Sequence, residues 1–369
     1  MQLVAILITG ITLAYANGAN DNFKGVATLL GSGTTDRRRA LIWATVTTLL
    51  GSMCAIWLAG ELLARFSGKG IVPDSLTANP EFATAVAIGA GLTVLLATRL
   101  GMPISTTHSL VGALTGTAIA STTAVQWDTV ISKLMVPLLL SPLIALCGTV
   151  LIYPLLRRGR KGLGLTKQSC FCAGVETVEV VPQLTPALTV ARVETLSASL
   201  GTTVTCQERY QGRVLGIDFA KSLDAGHYMS AGLMSFARGL NDTPKIAALF
   251  LVAPGITPLG ALSLCGVAIA IGGAISSRRV AETMSHRITT MNPGQGFTAN
   301  LITAATVIIA SRLSLPVSTT HVSCGSLFGL GTVTGKAEWG GIGKIVLSWI
   351  VTLPTAAIIA GSSFYLLHS

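Results

Sequence analysis

The chain has 369 residues, half of them hydrophobic and 11% charged, with a mean hydropathy of +0.67. That is more apolar surface than one water-soluble core of this size needs, which excludes an ordinary soluble domain and points to the bilayer as solvent. A net charge of +10 would suggest nucleic acid for a soluble chain, but here the basic residues stand in short clusters between apolar runs, the pattern of cytoplasmic loops.

Residues 1–16 are apolar, yet they lack a basic leading region and a cleavage site, so they are read as retained structure. About twenty apolar residues cross a hydrocarbon core, and ten such spans are expected near residues 2–30, 40–61, 82–98, 103–122, 130–156, 228–255, 259–276, 297–312, 316–335 and 343–367. The 40 glycines follow no Gly-X-Y period and suit helices packed through small residues. Asn20-Asp21 interrupts the first span and Asn241-Asp242 the sixth, so both are expected to be broken helices, with Gly18 and Gly239 loosening the backbone just before. The clusters Asp36-Arg37-Arg38-Arg39, Arg157-Arg158-Gly159-Arg160-Lys161 and Ser276-Ser277-Arg278-Arg279 belong on the cytoplasmic side. Five spans per half satisfy all three clusters. The termini then lie outside, and the odd number of spans turns the second half upside down.

Residues 157–227 lose the apolar run and alternate like strands around Val175 to Val181 and Leu188 to Val193, which predicts a small cytosolic α/β insert. The seven cysteines are scattered, with Cys170, Cys172 and Cys206 in this polar stretch, and no disulfide framework is expected. Their irregular spacing also disfavours a zinc site with His227, and no metal site is expected.

Beyond the insert the first half returns in altered form, and a search for repeats decides the fold. Gly18-Ala19-Asn20-Asp21-Asn22-Phe23-Lys24 matches Gly239-Leu240-Asn241-Asp242-Thr243-Pro244-Lys245, and the twelve residues Ala97 to His108 match Ala310 to His321 at eight positions. The expected fold is therefore an all-α polytopic membrane protein of two inverted-topology repeats, 1–156 and 228–369. Its broken helices meet at a midplane site, and the insert joins the halves.

An ionised carboxylate inside a membrane costs several kcal/mol unless it is paired or hydrated, so Asp21 and Asp242 point to a site. Broken helices expose N–H groups at one half-helix end and carbonyls at the other, which makes seats for an anion and a cation. In Pro-x-Ser-Thr-Thr-His the proline opens a helix and the hydroxyl residues offer donors at its positive end. Ser105, Thr106 and Thr107 would thus face Ser318, Thr319 and Thr320 as two half-cages fitting a tetrahedral oxyanion. The competing roles of these hydroxyls are capping and interhelical packing. His108 and His321 are expected to brace neighbouring helices rather than shuttle protons. Arg99 and Arg312, four residues before each proline, would recruit anions at the two mouths or reach the headgroups.

At these residues the chain resembles the inorganic phosphate transporter (PiT) family. The family signature is Gly-Ala-Asn-Asp, here at 18–21, a second Asn-Asp motif, here at 241–242, and Pro-x-Ser-Thr-Thr-His in each half, here at 103–108 and 316–321. The resemblance implies a secondary transporter that moves inorganic phosphate across the plasma membrane by alternating access, coupled to a proton or sodium gradient. It implies that Asp21, Asp242, Ser105, Thr106, Thr107, Ser318, Thr319 and Thr320 hold phosphate, with Asn20 and Asn241 near coupling cations. No soluble cofactor is implied, a bound Na+ is allowed, and lipids and a homodimer complete the expected partners.

One departure stands out. Where the family usually continues Asn-Asp-Val-Ala-Asn, this chain has Asn22-Phe23-Lys24 and Thr243-Pro244-Lys245. A lysine three residues after each Asp lies one helical turn on, within reach of an ion pair. Lys24 and Lys245 are therefore expected to supply charge that sodium-coupled relatives take from the ion, which makes coupling protonic or weak.

The runner-up is another tetrahedral oxyanion, sulfate foremost, since hydroxyl cages do not choose by themselves. Protonated phosphate can donate to Asp21 whereas ionised sulfate is repelled, which favours phosphate. A passive channel would need a continuous positive lining rather than paired carboxylates. An enzyme is not expected, because Ser-Thr-Thr-His lacks an oriented third member or a metal set.

Overall fold

The computed structural model describes residues 2–68, 70–180, 191–210 and 214–368. It divides into two compact units, Met1–Tyr153 with His227–Ser369, and Pro154–Gly226. The first half supplies α1 (Gln2–Asp21), α2 (Arg37–Leu58), α3 (Pro80–Arg99), α4 (Thr106–Ala120) and α5 (Val136–Gly162). The insert holds β1 (Ser169–Val180), β2 (Ala191–Thr202), α6 (Thr203–Arg209) and β3 (Val214–Asp218). The second half supplies α7 (Phe219–Phe250), α8 (Pro258–Ser276), α9 (Pro293–Arg312), α10 (Thr319–Thr334) and α11 (Trp339–His368).

The helix starts follow from local chemistry. Asp36 caps α2 by accepting from the Arg39 N–H at 3.0 Å, among the basic residues that open that helix. Asn79, Thr257 and Asn292 cap helices whose first residue is Pro80, Pro258 or Pro293, where a missing N–H leaves nothing unpaired.

Among the described residues, six helical stretches are long and apolar enough to cross a membrane: Gln2–Asp21, Arg37–Leu58, Pro80–Arg99, Trp127–Gly162, Pro258–Ser276 and Trp339–His368. Helices stand at all ten expected places, but four fall short of that measure. The physical reason is clearest in α4 and α10, which are only 15 and 16 residues long. Every side chain from Thr106 to Ala118 and from Thr319 to Gly331 is buried, so these two helices meet protein rather than lipid.

Only one of the two expected breaks forms. α1 stops at Asp21, residues 22–26 form turns, and helix resumes over Ala27–Gly31. In those turns the N–H groups of Lys24 and Val26 reach back three residues, to Asp21 and Phe23, each at 3.1 Å. By contrast α7 runs unbroken through Asn241 and Asp242 with Pro244 inside it. A proline withdraws a single N–H, here the one facing Leu240, and the long helix closes over the gap.

Gly18 and Gly239 are not loosening points either. A Cβ on Gly18 would collide with the Ile269 carbonyl of α8, and one on Gly239 with the Thr48 carbonyl of α2. The reciprocal contacts exist too: Gly272 meets the Tyr15 carbonyl and Gly51 the Phe236 carbonyl. In the same manner Gly112 and Gly116 of α4 lie on Leu353 and Ala357 of α11, while Gly325 and Gly329 of α10 lie on Pro142 and Leu146 of α5. The small residues therefore let helices of one half touch helices of the other backbone to backbone.

Equivalent positions also share unusual backbone. Gly101, after α3, has φ +70°, and Ser314, at the matching place after α9, has φ +55°. Ser105 and Ser318 cap α4 and α10 with nearly identical angles, φ −95° with ψ 113° and 115°.

In the insert, β1 is the centre of an antiparallel sheet of order β2-β1-β3, with Cys170 opposite Gly201 and Asp218. Residue 181 and residues 188–190 of the expected strand runs lie outside the described residues. Cys170, Cys172, Cys206 and Tyr210 form the buried cluster under the sheet. Cys172 and Cys206 are disulfide-bonded, contrary to the expectation of no disulfide. The sheet and α6 bring together two sulfurs that the sequence separates by 34 residues.

Candidate functional site

The chain around Asp21 turns back on itself, which aims the Lys24 side chain at the carboxylate three residues earlier. Lys24 Nζ pairs with Asp21 and also donates to Asn20 Oδ1 at 2.8 Å, the Ile104 carbonyl at 2.9 Å and Thr320 Oγ1 at 2.5 Å. On α7, Lys245 Nζ stands 3.4 Å from Asp242 and donates to the Val317 carbonyl at 2.6 Å and Thr107 Oγ1 at 2.9 Å. Each ammonium thus binds its own half's carboxylate and pre-cap carbonyl, then reaches across to the other half's threonine.

The carboxylates have matching second partners. Thr106 donates to Asp21 Oδ2 at 3.3 Å and Thr319 to Asp242 Oδ2 at 2.9 Å. Asn20 donates to Thr98 and to the Met102 carbonyl, both at 3.0 Å, while its Oδ1 accepts the Ile104 N–H at 3.2 Å. Asn241 donates to Asp242 at 2.9 Å and to the Val317 carbonyl at 3.1 Å, and it accepts from Ser311 at 3.3 Å. The asparagines therefore tie each Asp motif to the loop that precedes the hydroxyl motif of the same half.

Of the expected cage, Thr106, Thr107, Thr319 and Thr320 touch the charged groups, whereas Ser105 and Ser318 accept the His108 and His321 N–H groups at 3.0 and 3.2 Å as caps. A cap occupies the serine oxygen but leaves its hydrogen free to donate. The His108 and His321 rings meet edge to face at 4.5 Å, with His321 3.9 Å from Trp349. They pack across the halves. Arg99 and Arg312 are exposed and stand apart from this centre. His227 is engaged with Thr28 at 3.0 Å and Thr34 at 3.2 Å.

Sequence reasoning missed three residues here. Arg238 is fully buried and donates to Asn17 Oδ1 at 3.3 Å and Asn22 Oδ1 at 3.1 Å, while its Nε meets no acceptor. Asn17 in turn donates to Asp21 at 2.9 Å and Thr106 at 3.0 Å, and Asn22 to Thr45 at 2.9 Å. An arginine inside an apolar segment was the available signal, since intramembrane charges mark function by default.

Asp21, Lys24, Arg238, Asp242 and Lys245 are the only Asp, Glu, Lys or Arg residues buried among the described residues, and all five converge here. In a low dielectric such groups hold one another firmly and discriminate sharply by charge. The centre is thus a cluster of buried charges joined by hydrogen bonds to threonines and asparagines of both halves.

Known proteins share the sequence and the fold of this chain. The sequence profile of the phosphate transporter family matches residues 17–360. A Pyrococcus furiosus protein named as a phosphate permease is 29% identical, over 98% of this chain and 95% of its own. A Mycobacterium tuberculosis protein named as a low-affinity inorganic phosphate transporter is 26% identical, over 99% of this chain and 78% of its own. Among solved structures, one titled the sodium-dependent phosphate transporter superposes with a TM-score of 0.76 at 22% identity, covering 100% of this chain and 99% of that one.

Proposed function

Because the chain belongs to the phosphate transporter family, we propose that it carries inorganic phosphate across the plasma membrane by alternating access, driven by a proton or sodium gradient. The observation that supports this reading best is the buried pair of Asp motifs, each held by a lysine and answered by threonines of the Ser-Thr-Thr-His motifs. Phosphate brings both acceptor oxygens and O–H donors. The threonine hydroxyls and ammoniums suit the former, and Asp21 and Asp242 can accept from the latter.

In this reading Asp21, Ser105, Thr106, Thr107, Asp242, Ser318, Thr319 and Thr320 bind the substrate. Asn20, Asn241, Lys24 and Lys245 set its coupling to the cation. The halves 1–156 and 228–369 act as inverted repeats, with both termini outside and the insert in the cytoplasm, as the three basic clusters favour. A centre that holds two carboxylates fits a carrier, in which the guest must be gripped and released, better than an open anion channel.

Uptake of labelled phosphate into proteoliposomes tests the proposal, with sulfate as competitor and Asp21→Asn as control. Saturable uptake that sulfate barely inhibits and that Asp21→Asn reduces at least a hundredfold is the expected outcome. Saturable sulfate uptake with negligible phosphate uptake would keep the site and replace the substrate.

A further inference from the structure

We propose that Arg238 is a ligand for the transported oxyanion and that, with Lys24 and Lys245, it gives the site a built-in positive charge that takes the place of a coupling sodium ion. This deepens the reading that the protein carries phosphate and rests on it.

Three observations carry the inference. The first is the balance of charge: the buried centre holds three cationic side chains, Lys24, Arg238 and Lys245, against two carboxylates, Asp21 and Asp242. With all five ionised the centre is positive by one charge before any substrate or ion arrives. Sodium in such a place would add to an excess rather than offset the charge of an incoming anion.

The second is where the excess lies. Each lysine has its own carboxylate, but Arg238 forms no ion pair among the described residues. Its two acceptors among the described residues are neutral amide oxygens, and its Nε is buried without any. An unpaired guanidinium withdrawn from water is costly, and an anion is what relieves it. Its planar fork of five N–H groups matches a tetrahedral oxyanion better than a lysine does. Its charge reaches both Asp21 and Asp242, and Asn17 links it directly to Asp21 and Thr106. An anion at Arg238 would therefore lie beside the hydroxyls that line the centre.

The third is that the seats a small cation would take already hold one. Hard cations are held by oxygen ligands such as carboxylates and amide carbonyls, and in broken-helix carriers by main-chain carbonyls. Around Lys24 Nζ that set is complete: Asp21, Asn20, Thr320 and the Ile104 carbonyl. Around Lys245 Nζ it is Asp242, Thr107 and the Val317 carbonyl. The ammoniums are tethered by their side chains, so the positive charge stays with the protein through the cycle.

The experiment compares phosphate uptake by the purified full chain in proteoliposomes with sodium on both sides and with choline replacing it completely. The wild type is expected to give rates within twofold of each other. Arg238→Gln is expected to raise the KM for phosphate at least tenfold, and Arg238→Lys, which keeps the charge but not the fork, to fall between. Monodisperse elution and the thermal midpoint establish that each variant is folded. Uptake that collapses in choline, or a folded Arg238→Gln with the KM of the wild type, would overturn the inference. Should Arg238→Gln fail to fold, Arg238→Lys decides in its place: a folded Arg238→Lys with wild-type KM overturns the anion role. Absence of phosphate uptake by the wild type in both media would instead remove the reading on which the inference rests, and the inference with it.

Discussion

Lys24 shows how much depends on single atoms in this centre. With Asp21 as its carboxylate partner and three further oxygens around it, it cannot be removed without leaving a buried anion uncompensated. Lys24→Met should cost about 3–5 kcal/mol of stability, the usual penalty for stripping one member from a buried pair. The double substitution Asp21→Asn with Lys24→Met should recover much of that loss. Thermal unfolding of the two variants checks this, and a double variant no more stable than the single would mean that Asp21 does not need the ammonium. The Asp and Ser-Thr-Thr-His residues were legible in the sequence because the same chemistry occurs twice at fixed offsets. Arg238 was not, for the same reason reversed. It occupies the position of Asn17 in the first half, and a comparison of repeats attends to what matches, whereas the excess charge comes from a mismatch.

At the scale of elements, backbone geometry is kept even where the residue is not. The turn after α3 uses Gly101 and the turn after α9 uses Ser314, both in the left-handed region. A residue with a Cβ is strained there by about 1–2 kcal/mol, partly offset because glycine has more freedom to lose on folding. Ser314→Gly should therefore raise stability by roughly 0.5 to 1 kcal/mol, read as a higher thermal midpoint with unchanged uptake. A lower midpoint would show that the serine side chain contributes more than the strain removes. Helix positions were readable from apolar runs, though six of the ten meet the measure of a span, and the state of the sixth was not readable. Asn-Asp followed by Pro244 reads as a break, yet α7 continues, because the loss of one N–H does not unravel a 32-residue helix. Nor could the spacing of Cys172 and Cys206 reveal their pairing, which depends on how β1 and α6 fold together.

Across the whole molecule, the closest helix-to-helix backbone approaches at glycines join one half to the other. Gly18 lies on α8 and Gly239 on α2, each against a carbonyl that a methyl group would strike. Gly18→Ala and Gly239→Ala should each cost about 1–3 kcal/mol, the range for overpacking a closed interface. The two losses should be similar in size, and thermal unfolding measures both. A neutral result at either position would mean that its helix pair can slide apart by the width of a methyl. Sequence comparison disclosed that two related halves exist, but not this exchange of partners, because offsets between motifs say nothing about which helix lies against which.

The exchange has a mechanical consequence. Where backbones touch, two helices cannot part without opening a closed interface, which ties α1 to α8, α2 to α7, α4 to α11 and α5 to α10. Every one of these pairs takes one member from each half of the polypeptide. Any rearrangement of these helices would therefore have to carry along, or break, contacts that cross between the halves.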